Sequence, residues 1–207
     1  MINALVYDIE IIRAIPDSKV PNEEGIEYCK GWGDHEHMGV SVVCAYDFIE
    51  SRYHVFCKDN FKEFFEILHE RKLLIGFNTI GFDDKVLSYE EEYSEESEES
   101  DIQSYDILQE MWTILGRRFK GSGLDNICSL NGIGSKSGNG ALAPIQWQRG
   151  QIGSVINYCL NDVKLTRDLF VLSQKGPIKS PVGLLKLRRV LNDESYVGLN
   201  DSSSTGM

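Results

Sequence analysis

The sequence lacks a long apolar run, paired cysteines and an excess of basic residues. These are the features of membrane proteins, of disulfide-rich or zinc-binding proteins and of nucleic-acid coat proteins. No apolar run approaches the roughly 20 residues that a membrane-spanning helix needs, so we expect no membrane insertion. The N-terminal segment has no basic stretch and reaches an acid at Asp8, which is unlike a secretory signal peptide. The five cysteines form no C-x-x-C pair, which argues against a disulfide framework or a cysteine zinc site and favours a reducing, cytoplasmic location.

Basic residues are too few for a nucleic-acid coat protein or a polybasic membrane binder. The chain has 21 Lys and Arg against 32 Asp and Glu, which gives a net charge of −11. Much of this acidity lies in residues 90–101, which hold eight acids and no base and which we expect to be solvated and mobile. We predict a single globular domain over residues 1–175 and a C-terminal appendage with a polar tail over 176–207.

Apolar patterning predicts strands followed by helices. Strands are expected over 2–12, 39–49, 52–57 and 73–77, with the second and third forming a hairpin. Helices are expected over 60–72, 82–89, 105–115, 124–130 and 154–173. This order predicts an α/β fold in which helices flank a mixed sheet. The glycine-rich residues 132–140 are expected to form a flexible loop.

Two acids lie close together in the first predicted strand. Asp8 and Glu10 are two residues apart, so their side chains share one face of that strand. Neighbouring carboxylates repel each other, and burial makes their ionisation costlier still. A divalent cation with oxygen ligands, Mg²⁺ or Mn²⁺, would remove this conflict. Taken alone, the pair fits an edge strand with solvated acids equally well.

Two further segments place acids at the ends or faces of predicted elements. Residues 76–83, GFNTIGFD, follow a short apolar strand and open a helix, which puts Asp83 at a strand-to-helix junction. A lone acid there would serve the helix dipole. In the long C-terminal helix, Tyr158 and Asp162 are four residues apart and share a face. Each of these segments, taken alone, also fits an ordinary structural role.

Together, the three segments resemble the DEDD superfamily of 3′–5′ exonucleases, Tyr subtype, and in particular the proofreading domains of family B DNA polymerases. The resemblance rests on VYDIE at 6–10, GFNTIGFD at 76–83 with Leu87 following, and YCLND at 158–162. It departs from the family at Ile11, where Thr or Ser is usual, and in the acidic run. With no polymerase region present, the resemblance implies a stand-alone module or one that works with a partner.

The resemblance implies a ribonuclease H-like fold and metal-dependent hydrolysis of phosphodiester bonds from 3′ ends. Two ions, Mg²⁺ or Mn²⁺, would stabilise the attacking and leaving oxygens. In this reading Asp8 bridges the two ions, Glu10 and Asp162 complete the site that activates water, and Asp83 holds the second ion.

The same resemblance assigns further residues to the reaction. Tyr158 would position the attacking water, since a phenol with a pKa of about 10 is a weak base at neutral pH. Asn78 matches the family position that helps to hold the substrate or to support the site's ligands, and Phe82 is a further substrate-binding candidate for which a core position fits better. Asp106 could assist the site, but a capping role or a solvent-exposed one fits it better.

The acidity of the chain restricts how it could hold nucleic acid. Residues 117–120 could contact phosphate or complement a helix dipole, and 186–189 fit the polar face of a final helix. We expect weak intrinsic affinity and a single-stranded 3′ end as substrate, DNA in the first instance, with a protein partner as a second means of delivery.

Two function classes stay open at this point. The first is a 3′–5′ exonuclease, which the presence of all four acids and the tyrosine favours. The alternative is a non-catalytic ribonuclease H-like module that binds a protein or a nucleic-acid end, and an endonuclease of the same fold is a third option. His35 and His37 are expected in a surface loop, Cys159 is expected to be an inert thiol, and residues 132–137 miss the Walker A spacing.

Overall fold

The computed structural model describes residues 2–90 and 102–191. The predicted acidic segment beyond Glu90 and the predicted polar tail from Asn192 lie outside the described residues. The strands are β1 (Ala4–Ile11), β2 (Val40–Asp47), β3 (Arg52–Phe56), β4 (Leu73–Gly76), β5 (Gln103–Asp106), β6 (Ile178–Ser180) and β7 (Gly183–Leu185). The helices are α1 (His35–Met38), α2 (Phe61–Glu70), α3 (Asp83–Leu87), α4 (Ile107–Leu115), α5 (Leu124–Leu130), α6 (Ala143–Gln148) and α7 (Ile152–Lys175).

Five strands form one mixed sheet in the order β3-β2-β1-β4-β5. Strand β2 pairs antiparallel with β1 and β3, so the predicted hairpin is confirmed. Strand β4 pairs parallel with both β1 and β5. The sheet is therefore antiparallel on one side of β1 and parallel on the other, and the predicted mixed α/β fold is confirmed. Strands β6 and β7 form a separate two-stranded sheet.

Strand β1 lies at the centre of the sheet and serves two apolar layers. Its residues Ala4 and Val6 pack in the layer that contains α7, while Leu5 and Tyr7 pack in the opposite layer with α2 and α3. This follows from the two-residue period of a strand. The even-numbered face also carries Asp8 and Glu10, so the sheet directs both acids toward α7.

Two sequence-based assignments are wrong. Residues 103–106 form strand β5, where the sequence predicts the start of a helix at 105, because Gln103–Asp106 completes the edge of the sheet beside β4. The basic cluster at 186–189 is not in a helix: β7 ends at Leu185, and the residues after it run without helical hydrogen bonds. Helix α7 extends over Ile152–Lys175, slightly beyond the predicted range.

A buried ion pair joins the end of β2 to the end of α2. The guanidinium of Arg71 donates to both carboxylate oxygens of Asp47, with an Nη2 to Oδ2 distance of 2.6 Å. Both side chains are almost fully buried. Burial alone would raise the pKa of Asp47, but hydrogen bonds from Arg71 and from the Ile49 N–H hold it below its usual value. The charge of each partner is thus compensated inside the protein.

Candidate active site

Six of the seven predicted site residues line one open cavity of about 920 Å³ beside the C-terminal end of β1. They come from three elements distant in sequence: β1, the start of α3 and the middle of α7. The seventh, Asn78, lines an adjoining groove together with Asp8 and Asp162. The six are Asp8, Glu10, Phe82, Asp83, Tyr158 and Asp162.

Asp8 and Glu10 emerge from the centre of the sheet against α7. Glu10 is buried, with 7% of its surface exposed. The thiol of Cys159, which is itself fully buried in α7, lies 3.3 Å from the backbone oxygen of Asp8 and 3.6 Å from its Oδ2. Burial raises the pKa of this thiol, in agreement with the expected lack of reactivity.

Asp83 is the first residue of α3, and β1 holds it in place. The backbone N–H of Ile9 donates to its Oδ1 at 3.1 Å. The next residue, Asp84, accepts a short hydrogen bond from the hydroxyl of Tyr7 on the opposite face of β1. Burial raises the pKa of Asp83 to about 7, against the effect of the Ile9 hydrogen bond. This carboxyl group therefore stays protonated up to a higher pH than an exposed aspartate does.

The loop between β4 and α3 needs two glycines. A Cβ on Gly76 would lie 2.0 Å from Cγ2 of Thr79, and one on Gly81 would lie 2.4 Å from Oδ1 of Asn78. Asn78 adopts a left-handed backbone conformation with φ of 70°. The GFNTIGFD segment has glycine at both positions because a side chain at either one would collide with the tight turn.

Asp106 holds the same loop in place through hydrogen bonds. Its carboxylate accepts the N–H groups of Asn78 and Ile80 and also caps α4 through the N–H groups of Leu108 and Gln109. The predicted capping role is thus confirmed, and the same group also anchors the segment that carries Asn78. Four backbone donors on one buried carboxylate make this junction rigid.

Helix α7 presents Tyr158 and Asp162 on the face that packs toward β1. Asp162 is 3% exposed, and its Oδ1 has no hydrogen-bond partner among the described residues. Burial raises the pKa of Asp162, although Lys136 counteracts this effect. Burial also raises the pKa of Tyr158 to about 12, so its hydroxyl is protonated at neutral pH. A buried carboxylate oxygen with an open coordination position is suited to a cation.

Lys136 is the site residue that sequence analysis missed. Its Nζ donates a short hydrogen bond to Oδ2 of Asp162 and lies 3.0 Å from the hydroxyl of Tyr158. Burial alone would lower its pKa, but the charge and hydrogen bond of Asp162 raise it above the usual value, so the ammonium stays charged. Lys136 could not be predicted as a site residue because it lies in a glycine-rich loop, where no helical or strand periodicity indicates the direction of a side chain.

The loop that carries Lys136 is held on both sides. The N–H of Lys136 donates to Asp125 at 2.6 Å, and the amide of Asn161 donates to the oxygen of Ser135. A Cβ on Gly138 or Gly140 would lie only 3.2 or 3.1 Å from atoms of Tyr158. The glycines of this loop therefore permit its close approach to the phenol ring, which is a reason for them other than the flexibility expected from the sequence.

The acids interact electrostatically without closing around one point. Burial raises the pKa of Asp8 well above its usual value, and the charges of Asp83, Asp162 and Glu10 raise it further. The pKa of Glu10 is raised in the same way, mainly by burial and then by the charge of Asp162. Over residues 2–90 and 102–191, no three of these acids bring ligand atoms within 4.8 Å of one another. In this structure the four acids therefore share a cavity and interact through their charges, but no three of them surround a common point closely enough to form one metal site.

One other cluster in the described ranges does meet that distance. Ligand atoms of Asp47, Glu50 and His54 lie within 4.8 Å of one another. The carboxylate of Asp47 is already occupied by the guanidinium of Arg71, whose positive charge opposes a metal ion there. Asp47 is therefore committed to the buried ion pair described above, and the exposed Glu50 and the half-buried His54 lie beside it.

The raised pKa of Asp83 predicts how stability depends on pH. Between its usual value of 3.8 and about 7, the folded chain binds a proton that the unfolded chain has lost. In EDTA, the melting temperature should therefore fall by roughly 5 °C between about pH 5 and pH 8. Adding Mn²⁺ at the higher pH should recover this loss, and Asp83→Asn should show a flatter profile. A melting temperature that rises over this interval would contradict the burial of an ionisable Asp83.

None of the described helices combines the length and the apolarity required to cross a bilayer. Comparison with known proteins by sequence found no matching family model and no matching curated protein.

Comparison with solved structures relates the fold to a known enzyme. The family B DNA polymerase from the hyperthermophilic archaeon Pyrobaculum calidifontis matches 83% of this chain with a TM-score of 0.59 and 17% sequence identity. The match covers 24% of the polymerase chain, so the present chain spans about a quarter of that protein. At this identity the likeness concerns the fold. The five-stranded mixed sheet with its helices has the fold of part of a family B DNA polymerase, consistent with the expected ribonuclease H-like fold.

Proposed function

We propose that this chain is a metal-dependent 3′–5′ exonuclease of the DEDD superfamily, Tyr subtype, that acts on single-stranded DNA. The observation that carries the proposal is the convergence of Asp8, Glu10, Asp83 and Asp162 on one cavity beside Tyr158. Carboxylates whose pKa values are raised by burial and by one another form an unfavourable arrangement unless a positive charge joins them. The polymerase-like fold supports a nucleic-acid context.

The residues present fit divalent cations. All four acidic side chains offer oxygen ligands, and Oδ1 of Asp162 is buried without a hydrogen-bond partner among the described residues. We assign Asp8, Glu10, Asp83 and Asp162 as the ligands. Bound Mg²⁺ or Mn²⁺ would supply a more acidic water and would stabilise charge on the reacting phosphodiester.

The side chains of the chain itself would order the attacking water and the phosphate. Tyr158, a protonated phenol at neutral pH, can orient a water by hydrogen bonding and is a poor base. Lys136 is a charged donor beside both Tyr158 and Asp162, where it can hold the phenol in position or stabilise charge on the phosphate. Asn78, held by Asp106, faces the adjoining groove and would contact the substrate strand.

The position of Lys136 also favours the second candidate function. Its ammonium already neutralises part of the acidic cluster, which a metal-free binding module would need. The two candidates differ in one measurable property, because a non-catalytic module leaves the phosphodiester backbone intact with any metal.

The deciding experiment is digestion of single-stranded oligonucleotides with Mn²⁺ or Mg²⁺. A 3′–5′ exonuclease shortens 5′-labelled DNA stepwise, loses this activity in EDTA, and leaves circular DNA intact. A blocked 3′ end should also protect the strand, whereas a blocked 5′ end should not. Intact linear DNA under all metal conditions would overturn the proposal in favour of the binding module, and cleavage of circular DNA would indicate an endonuclease.

A further inference from the structure

The cavity that holds the acids has a second, apolar wall formed by the segment between β1 and β2. Ile15, Pro16 and Trp32 from this segment line the same cavity as Asp8 and Asp83. Trp32 is 73% exposed, the most exposed of the large apolar side chains among the described residues. A single exposed apolar residue is ordinary on a protein surface, but this one borders the candidate active site.

Trp32 belongs to an aromatic cluster next to Asp83. Its ring meets that of Phe82 edge to face, with centroids 6.1 Å apart. His35 meets Phe82 in the same manner at 6.0 Å. Phe82 is thereby flanked by two rings and partly buried, while most of the surface of Trp32 faces solvent. The cluster offers an accessible indole beside the carboxylates.

The backbone around Trp32 is anchored although its side chain is exposed. Cys29 is buried, and its N–H donates to the oxygen of Ala14 at 3.0 Å. The N–H of Lys30 donates to Asp34 at 2.7 Å. The amide of Gln148 in α6 donates to the backbone oxygens of Ile12 and Glu27, which ties the start and the middle of the segment to α6. Because the backbone here is held in place, binding of a flat ligand to the indole would order mainly the torsion angles of the Trp32 side chain.

The charge of the cavity limits what kind of contact could hold a ligand at this indole. Its wall carries the carboxylates of Asp8, Glu10, Asp17, Asp83 and Asp162 against the single ammonium of Lys136. Where bound cations do not neutralise this surface it does not attract phosphates, so an uncharged contact would add affinity there. Stacking of a nucleobase on an aromatic ring is such a contact, and it works for any base.

We propose that Trp32 stacks against the base of the unpaired nucleotide at the 3′ end and so selects single-stranded or frayed ends. This inference rests on the proposed exonuclease function and specifies its substrate. Because a base within a duplex is stacked and paired, its face is not available to Trp32. The contact is uncharged, so its contribution should be nearly independent of salt.

The test compares Trp32→Ala and Trp32→Phe with the wild-type full chain. Trp32→Ala should raise KM for a single-stranded oligonucleotide about tenfold with kcat nearly unchanged, and Trp32→Phe should keep most of the affinity. A 3′-terminal abasic nucleotide should raise KM for the wild type by a similar factor and should add nothing further in Trp32→Ala. The ratio of the two KM values should stay constant between about 0.05 and 0.2 M salt.

Leu184→Ala is the matched control, since Leu184 is 70% exposed but does not line this cavity. It should leave KM unchanged. If Trp32→Ala has the wild-type KM, or if the wild type handles an abasic end as well as a normal one, the inference is wrong and the exonuclease proposal still stands.

A binding measurement separates failure of the inference from failure of the proposed function. With Ca²⁺ added to neutralise the carboxylates, oligo(dT) should quench the tryptophan fluorescence of the wild type and quench that of Trp32→Phe far less. Quenching that depends on Trp32 in a chain that cleaves nothing would retain the base-binding site and reject catalysis. Equal quenching in both proteins, or none in the wild type, would reject the base-binding site.

Discussion

Asp8→Asn is expected to lower the rate of phosphodiester hydrolysis at least about 10³-fold and, in EDTA, to raise the melting temperature by roughly 5 °C. The rate falls because the substitution removes one of the four carboxylates that we propose would hold the ions. The stability rises because Asp8 is surrounded by like charge and by low-dielectric protein, which together raise its pKa. Asparagine has nearly the same volume and carries no charge.

The matched comparison is Asp162→Asn. It should abolish activity equally, but it should lower the melting temperature, because it leaves the ammonium of Lys136 without its carboxylate partner. Asp59→Asn, at an exposed position outside the cavity, should change neither property. Melting curves in EDTA and initial rates in Mn²⁺ provide both measurements. An Asp8→Asn protein that keeps a tenth of the activity, or that melts lower than the wild type, would contradict this electrostatic description.

Asp47→Ala is expected to have the largest effect on stability, a loss of about 3–5 kcal/mol. The substitution leaves the buried guanidinium of Arg71 without its partner and removes the acceptor for the N–H groups of Ile49 and Glu50. The melting temperature should fall by roughly 10 °C, measured by calorimetry or circular dichroism. Asp47 does not line the candidate active-site cavity, so the proposed activity should persist well below the transition.

The control for this change is Arg52→Ala. Arg52 pairs with Glu50 on the surface, where 65% and 37% of the two side chains are exposed. Loss of this pair should cost less than about 1 kcal/mol. The pKa of Asp47 lies below its usual value, so its stabilising effect is present near neutral pH and is lost as the pH falls through that lowered pKa. Asp47→Ala should therefore lose little further stability in acid, and a cost as small as that of Arg52→Ala would contradict the burial of the pair.

The sequence predicted the elements that carry strong periodicity. Strands β1 to β4 and helices α2, α5 and α7 lie where apolar patterning places them. Strand β5 was missed because its four residues, two of them exposed, run directly into α4 without a turn between them. The final helix predicted around Lys186 was wrong because alternating Leu and basic residues fit an irregular segment packed on the core as well as a helix.

The site was predictable as far as its residues lie on regular elements. The alternation of a strand fixes Asp8 and Glu10 on one face, and the helical period fixes Tyr158 and Asp162 on another. Lys136 and Trp32 lie in irregular segments, where spacing carries no directional information. Their positions follow from contacts between distant segments: Lys136 with Asp162 on α7, and Trp32 with Phe82 next to α3.

The even-numbered residues of β1 face the cavity and α7, and the odd-numbered ones face the apolar layer with α2. This difference determines which mutations of the strand the fold can tolerate. Point substitutions at Asp8 or Glu10 remove carboxylates while the odd-numbered side chains keep their packing. Deletion or insertion of one codon within the strand would instead exchange the two sets. The acids would then lie in the apolar layer against α2, and Ile9 would lie at the mouth of the cavity. Descendants of this chain could therefore lose the proposed activity and keep the fold, but a change in the length of this strand would disturb both the site and the packing.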